Sequence, residues 1–169
     1  MRNHKDYLPE PAPTRWYVVA SREAALIYGE KKGSLSLLNR FFNARGALKE
    51  RDLDSDRAGS RSAGSNSTHH TLDRHNHQLE QVARDLAKRV CRYLSSELAA
   101  RSFDELFLVA EPGYLGVLRN ALPAELRKRV CRVIPKEFTA DSTQRLEQRF
   151  KESRILPQNA SKTADLRGE

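Results

Sequence analysis

Five stretches of the chain carry the hydrophobic patterns that are typical of β-strands. Residues 16–20 combine aromatic and β-branched side chains, and residues 24–28 and 34–42 follow after short connections. Residues 106–110 (LFLVA) are continuously apolar, as in a strand that is buried on both faces of a sheet. Residues 131–135 return to a similar pattern. We therefore predict five strands in this order along the chain.

The connections between these stretches predict how the strands pair. The links between the first three are short, and Gly33 suits a turn, which indicates an antiparallel meander. Between the last two, apolar residues recur at helical spacing (Tyr114, Leu115, Val117 and Leu118), and Pro123 suits the first position of another short helix. Two strands joined by a crossover helix form a parallel βαβ unit. The pattern predicts an α/β fold, a single three-layer domain with a mixed five-stranded sheet.

Two further helices are predicted on either side of this unit. The longer one covers residues 75–101, with Asp73 as its N-cap. Its apolar face consists of Leu79, Val82, Ala83, Leu86, Val90, Tyr93, Leu94 and Leu98. The last helix begins near Ser142, with Asp141 as the cap and Gln144 at the third position of a capping box. It directs two apolar residues towards the core, Leu146 and Phe150.

Three segments lack periodicity: two of them flank the predicted domain, which covers residues 15–151, and one lies within it. Residues 1–14 contain three prolines and several charges, and they are predicted to form a flexible leader. Residues 43–74 have few aliphatic side chains, so a long mobile loop is predicted there. Residues 152–169 are polar and are predicted to form a disordered tail.

The composition fits one domain with a hydrophobic core and excludes some classes of protein. Of the 169 residues, 38% are apolar and 31% are charged, which indicates a globular centre with solvated segments. No apolar run reaches the roughly 18 residues of a membrane span. Residues 1–13 lack the apolar segment of a secretory signal. Cys91 and Cys131 are predicted to be reduced, buried thiols of a cytoplasmic protein, with a disulfide between them as the alternative.

The net charge of +8 is concentrated in one part of the chain. Residues 119–136 contain six basic residues and one acidic residue, Glu125, so this segment alone carries a net charge of +5. The six are Arg119, Arg127, Lys128, Arg129, Arg132 and Lys136. A patch of this kind attracts polyanions such as RNA, DNA or an acidic lipid surface. The alternative is a face of a short helix that only keeps the protein in solution.

Candidate residues for metal binding and catalysis cluster between the third strand and the long helix. The clustered potential ligands are His69, His70, Asp73, His75 and His77. Residues two apart on a helix point in different directions, so no metal site and no cofactor are predicted. In an extended segment Asp52, Asp54 and Asp56 would share one side, as in a magnesium cluster. The first strand offers no carboxylate to complete a nuclease site, and no catalytic residue is assigned.

Tyr114 follows the end of a predicted parallel strand. Since α/β sheets bind ligands beyond the carboxyl ends of their strands, Tyr114 is a candidate to face a ligand cleft. The alternative is that it packs the helix onto the sheet.

An ordered set of segments resembles one protein family. The segments are WYVVASREA at residues 16–24, ERDLDSDRAG at 50–59, the helix at 77–94, LFLVAEPGYLGVLRNAL from residue 106, and IPKEFT at 134–139. Together they resemble the bacterial host-attachment protein family over residues 15–150. That family is named for a role in attachment to host cells.

The resemblance implies a fold and a set of partners. The family is similar to the central domain of archaeal and eukaryotic peptide-release factors and of the ribosome-rescue protein Pelota, which implies a ribonuclease-H-like sheet. In the release factors a loop before the long helix carries a Gly-Gly-Gln tripeptide, but residues 43–74 contain none. The resemblance therefore implies a role at the ribosome that does not involve peptide release.

We expect a non-enzymatic domain that binds RNA or the ribosome, or that acts as an adaptor. Ribosome, tRNA or rRNA would contact the six basic residues, and a partner-binding set would consist of Asp54, Asp56, Arg57, His77 and Tyr114. One alternative is an interaction protein with a protein partner that influences attachment to host cells. Another is a metal-dependent hydrolase that uses the Asp and His residues of the loop.

Overall fold

A computed structural model describes residues 12–43 and 70–156, and within the long helix it describes side chains from His77 onward. The predicted leader up to residue 11, most of the predicted loop (44–69) and the tail from residue 157 lie outside the described residues. The elements are β1 (Arg15–Ala20), β2 (Ala24–Lys31), β3 (Ser34–Phe42), α1 (His70–Ala99), β4 (Glu105–Ala110), α2 (Pro112–Ala121), α3 (Ala124–Arg127), β5 (Val130–Pro135) and α4 (Thr143–Glu152).

The five strands form one mixed sheet in the order β3-β2-β1-β4-β5. The pairs β1–β2 and β2–β3 are antiparallel, whereas β1–β4 and β4–β5 are parallel. Lys32 and Gly33 connect β2 to β3 with φ angles of 53° and 80°, which a two-residue hairpin turn of this hand requires. The Glu30 side chain accepts a hydrogen bond of 2.7 Å from the Gly33 amide. The predicted α/β fold with a mixed five-stranded sheet is confirmed.

Each face of the sheet has its own hydrophobic core. On one face α1, α2 and α3 cover alternate strand residues such as Val18, Ile27 and Leu108, all of which are fully buried. On the other face α4 covers the intervening residues, among them Tyr17 and Val19. Burial of one such aliphatic or aromatic side chain contributes about 1.5–3 kcal/mol, so both layers stabilise the sheet substantially.

The helix starts differ from those that the sequence predicts. α1 begins at His70, so Asp73 lies inside the helix and is not its N-cap, and the predicted loop to residue 74 ends earlier. Pro123 occupies the N-cap position of α3 rather than its first helical position. In α4 the cap is Ser142, whose Oγ accepts a hydrogen bond of 3.3 Å from the Arg145 amide.

Asp141, predicted to cap α4, forms ion pairs instead. Its carboxylate oxygens lie 3.5 Å from Arg145 Nε and 3.0 Å from Arg149 Nε. Aspartate and serine are similarly favoured at the N-cap position, so the sequence alone does not show which of the adjacent residues Asp141 and Ser142 caps the helix.

The packed chain extends beyond the predicted domain boundary at residue 151. Ile155 and Leu156 are buried against the α4 side of the sheet. Both cysteines are free, but the prediction that both are buried is wrong, since Cys91 is buried and Cys131 is exposed. Within residues 12–43 and 70–156, no helix is long and apolar enough to cross a membrane.

Candidate functional site

The strand β5 forms one edge of the sheet, and most of it faces solvent. Cys131, Arg132 and Val133 are exposed, and Val133 keeps 37% of its surface accessible although it is a large aliphatic residue. The pairing with β4 shifts by one residue between Leu106 and Phe107, which places a bulge at the start of β5. Such irregularities and charges discourage an edge strand from pairing with other chains, so β5 is suited to other contacts.

All six basic residues predicted to bind nucleic acid are exposed at or next to this edge. We call this surface the basic edge: Arg119, Arg127, Lys128, Arg129, Arg132 and Lys136. The short helix α3 positions two of them, because Leu126 is fully buried and its neighbours Arg127 and Lys128 remain outside. Arg129 follows before β5 begins.

The structure divides the basic edge between the two faces of the sheet, whereas the sequence predicted one patch. Arg119 and Arg127 line a cavity of about 410 Å³ on the side of α2 and α3, with Val133 as part of its wall. Arg132 pairs with Phe107 across the strands and therefore lies on the side of α4. Arg119 and Arg127 belong to the helices of one face, whereas the two-residue period of β5 sends Arg132 to the other face.

On the α4 side Arg132 lines a second cavity, of about 340 Å³. It also contains Phe107, which is half-buried, and Arg154 from the end of α4. Arg132 Nη1 donates a hydrogen bond of 3.2 Å to the Arg154 carbonyl. Sequence reasoning missed Phe107 and Arg154, since one lies within a uniformly apolar strand and the other within a polar segment assigned to the tail.

Most cations of the basic edge have no carboxylate partner. Lys128 pairs with Glu125 at 2.9 Å. Among the described parts of the chain, the other five residues form no ion pair. Arg127 Nε instead donates a hydrogen bond of 2.8 Å to the Leu122 carbonyl. Lys136 Nζ lies 6.0 Å from the centre of the Phe138 ring. Within the described part of the chain, the basic edge therefore presents positive charge that no carboxylate compensates, apart from Lys128.

Of the predicted partner-binding set, the structure describes the side chains of Tyr114 and His77. Tyr114 is fully buried between α2 and the sheet, so its assignment to a ligand cleft is wrong and the packing alternative is right. Burial raises the pKa of its hydroxyl above the ordinary value of 10.0. His77 is exposed on α1, and Asp54, Asp56 and Arg57 lie outside the described residues.

The described side chains contain no group of three or more His, Cys, Asp or Glu residues arranged to hold a metal ion. The side chains of His69, His70, Asp73 and His75, which formed most of the predicted ligand cluster, are not among those described. The same is true of the aspartates between residues 52 and 56. The site that the structure does describe is the basic edge with its two cavities.

Comparison with known proteins identifies one family. A family model described as "Protein required for attachment to host cells" matches residues 16–150, which include the described strands and helices except the first residue of β1 and the last two residues of α4. No curated protein matches the chain.

Proposed function

We propose that this chain, which belongs to the family of proteins required for attachment to host cells, is a non-enzymatic RNA-binding protein. The observation that carries the proposal is the uncompensated charge of the basic edge. Five exposed cations without a carboxylate partner among the described residues lie on β5, on the two helices before it and on the segments next to the strand. RNA phosphates supply the missing negative charges and release bound counterions as they do so.

The residue types of the basic edge suit phosphate groups. Four of the five unpaired cations are arginines, whose planar guanidinium groups bind phosphate oxygens in a bidentate manner. Contacts of this kind position a nucleic acid without reading its sequence. We therefore assign the basic edge to the sugar–phosphate backbone of RNA.

The ribosome, tRNA or rRNA is the RNA that we propose as the target, in the cytoplasm. The resemblance to the central domain of release factors and Pelota supports this choice, together with an order of strands and helices that suits a ribonuclease-H-like sheet. The sequence contains no Gly-Gly-Gln, so the proposed role excludes peptide release by the release-factor mechanism.

Cosedimentation with purified ribosomes and with total RNA tests this proposal. The test variant changes Arg119, Arg129, Arg132 and Lys136 to Gln and leaves Arg127, which holds the Leu122 carbonyl. The matched control changes four exposed basic residues on other elements to Gln, namely Arg84, Lys88, Arg92 and Lys151. Both variants lose four positive charges. The proposal predicts that at low salt the test variant remains in the supernatant, whereas the control variant sediments with the RNA. Equal loss of cosedimentation in both variants would refute a specific role for the basic edge.

A second candidate function follows from the family description itself. An interaction protein with a protein partner, acting in attachment to host cells, would use the same exposed surfaces. Cell fractionation separates the two candidates. Recovery with ribosomes that ribonuclease treatment abolishes supports the first, and recovery at the cell surface or in the medium supports the second.

A further inference from the structure

The cavity on the α4 side of β5 combines an aromatic surface with positive charge. Phe107 forms part of its wall, and its ring stacks on Tyr17 with 4.8 Å between the ring centres. Tyr17 is fully buried, so this contact fixes the orientation of the half-buried Phe107 ring. Ile155 and Leu156 complete the apolar wall. With a volume of about 340 Å³, the cavity lies at the small end of the range for ligand sites.

Two guanidinium groups carry the net charge of this cavity. Glu105 also lines it, but Arg15 Nε lies 2.7 Å from its carboxylate and neutralises it. That hydrogen bond raises the pKa of Arg15. Arg132 and Arg154 remain without a carboxylate partner among the described residues. An arginine has five N–H donors, and Arg132 uses one of them on the Arg154 carbonyl, so both groups retain donors for an anion.

Arg154 reaches the cavity from the segment that follows α4. Arg154 has φ of 52°, in the left-handed region, and it follows the last turn of α4. The Ile155 amide donates a hydrogen bond of 2.7 Å to the Phe150 carbonyl, and this bond closes the end of the helix. Glycine is the residue that favours this position, and any other residue is strained there. A basic residue after the last turn suits the negative C-terminal end of the helix dipole, and Arg154 also lines the cavity.

We propose that this cavity binds one unpaired nucleotide, with its base against Phe107 and its phosphate between Arg132 and Arg154. Proteins recognise unpaired nucleotides by stacking the base on aromatic or guanidinium planes, beside cations that hold the backbone. A base within a duplex is stacked and paired, so it cannot enter. This inference rests on the proposed function and names its substrate class: RNA that is single-stranded where it crosses the basic edge.

The test compares a labelled 12-nucleotide oligo-U RNA with a 12-base-pair RNA duplex by fluorescence anisotropy at constant salt. The proteins are wild type, Arg154→Gly, Phe107→Leu and Arg119→Gln. Arg154→Gly is the decisive variant, because glycine suits the backbone there, whereas Phe107→Leu also removes the contact with Tyr17. We expect Arg154→Gly and Phe107→Leu to weaken binding of the single strand at least fivefold and binding of the duplex less than twofold. Arg119→Gln, on the other face, should weaken both by a similar factor.

Each other outcome is decisive in a different way. If wild type binds both RNAs equally and Arg154→Gly weakens both alike, the nucleotide site is refuted while RNA binding by the basic edge stands. If wild type binds neither RNA at the lowest salt, the proposed function fails. In that case displacement of a fluorescent AMP analogue by AMP, lost in Arg154→Gly, would show a site for free nucleotides and overturn its assignment to RNA.

Discussion

In the part of the chain that the structure describes, three residues other than glycine have a left-handed backbone, and two of them follow helices. Arg154 (φ 52°) follows α4 and Arg101 (φ 58°) follows α1. The two differ in surroundings, since Arg154 borders the cavity beside β5 whereas Arg101 does not line it. The left-handed conformation disfavours both side chains equally. Comparing substitutions at Arg154 and Arg101 therefore separates the effect of the backbone on stability from the effect of the Arg154 guanidinium on RNA binding.

Arg154→Gly and Arg101→Gly should each raise the free energy of unfolding by about 1 kcal/mol, since glycine adopts a positive φ without a steric penalty. Urea denaturation followed by circular dichroism measures this change. Only Arg154→Gly should weaken RNA binding. A loss of stability in Arg154→Gly would contradict this prediction and show that its guanidinium stabilises the end of α4.

Cys91 links burial to the pH dependence of stability. Burial raises the pKa of its thiol from 9.0 to about 11. In the unfolded chain the thiol loses its proton near pH 9, whereas in the folded protein it keeps it. The unfolded state therefore binds fewer protons between these values, and stability falls as pH rises through this interval.

The loss due to Cys91 should be on the order of 2 kcal/mol when complete, and absent below pH 8. Chemical denaturation of wild type and Cys91→Ala at pH 7.5, 9 and 10.5 measures it. The alanine variant starts less stable because it leaves a cavity, but its stability should decline less between pH 7.5 and 10.5. Parallel declines in the two proteins would contradict the assigned cause.

At the scale of the element, the hydrophobic pattern carried most of the fold. The runs in β1 and β4 are apolar because both strands are buried on both faces, so sequence alone located them. The start of α1 was missed because residues 70–76 include mostly polar side chains, which hide the helical period. Ile155 and Leu156 were missed for a similar reason, since two apolar residues in a polar segment give no periodicity.

The candidate site was predictable only in part. Counting charges along residues 119–136 found the basic residues, but a linear count ignores the alternation of strand side chains. The bulge at the start of β5 shifts that alternation by one residue, and no feature of the sequence predicted the bulge. Arg132 lies on the α4 face of the sheet, whereas Arg119 belongs to α2 on the other face. The cavity formed with Arg154 depends on contacts between distant segments.

The cap of α4 provides an element-scale prediction. Ser142→Ala should lower the free energy of unfolding by about 1 kcal/mol, because its Oγ accepts the Arg145 amide hydrogen at the start of the helix. Asp141→Asn is the comparison, and it should cost less at high salt than at low salt, since it removes ion pairs. Thermal unfolding in 0.05 M and 1 M salt distinguishes them. If Asp141→Asn lowered the free energy of unfolding more than Ser142→Ala, and by the same amount at both salt concentrations, Asp141 rather than Ser142 would be the cap.

At the scale of the whole molecule, charge and packing are distributed unequally. Helices α1, α2 and α3 cover one face of the sheet and α4 covers the other, while β5 remains exposed between them. The excess positive charge of the chain is concentrated at this edge rather than spread over its surface. A protein built in this way attracts a polyanion to one side, at a rate and with an affinity that depend on salt.

The salt dependence of binding to single-stranded RNA tests the central claim most directly. The dissociation constant is measured by anisotropy from 25 to 250 mM salt, for wild type and the two variants that each lose four positive charges. For a single strand each phosphate contact contributes about 0.7 to the slope of log K against log salt. The account predicts that the slope falls by about 3 for the variant at Arg119, Arg129, Arg132 and Lys136, and by less than 1 for the variant at Arg84, Lys88, Arg92 and Lys151. Equal slopes for the two variants would show that RNA responds only to net charge, and would contradict a binding site at the edge of the sheet.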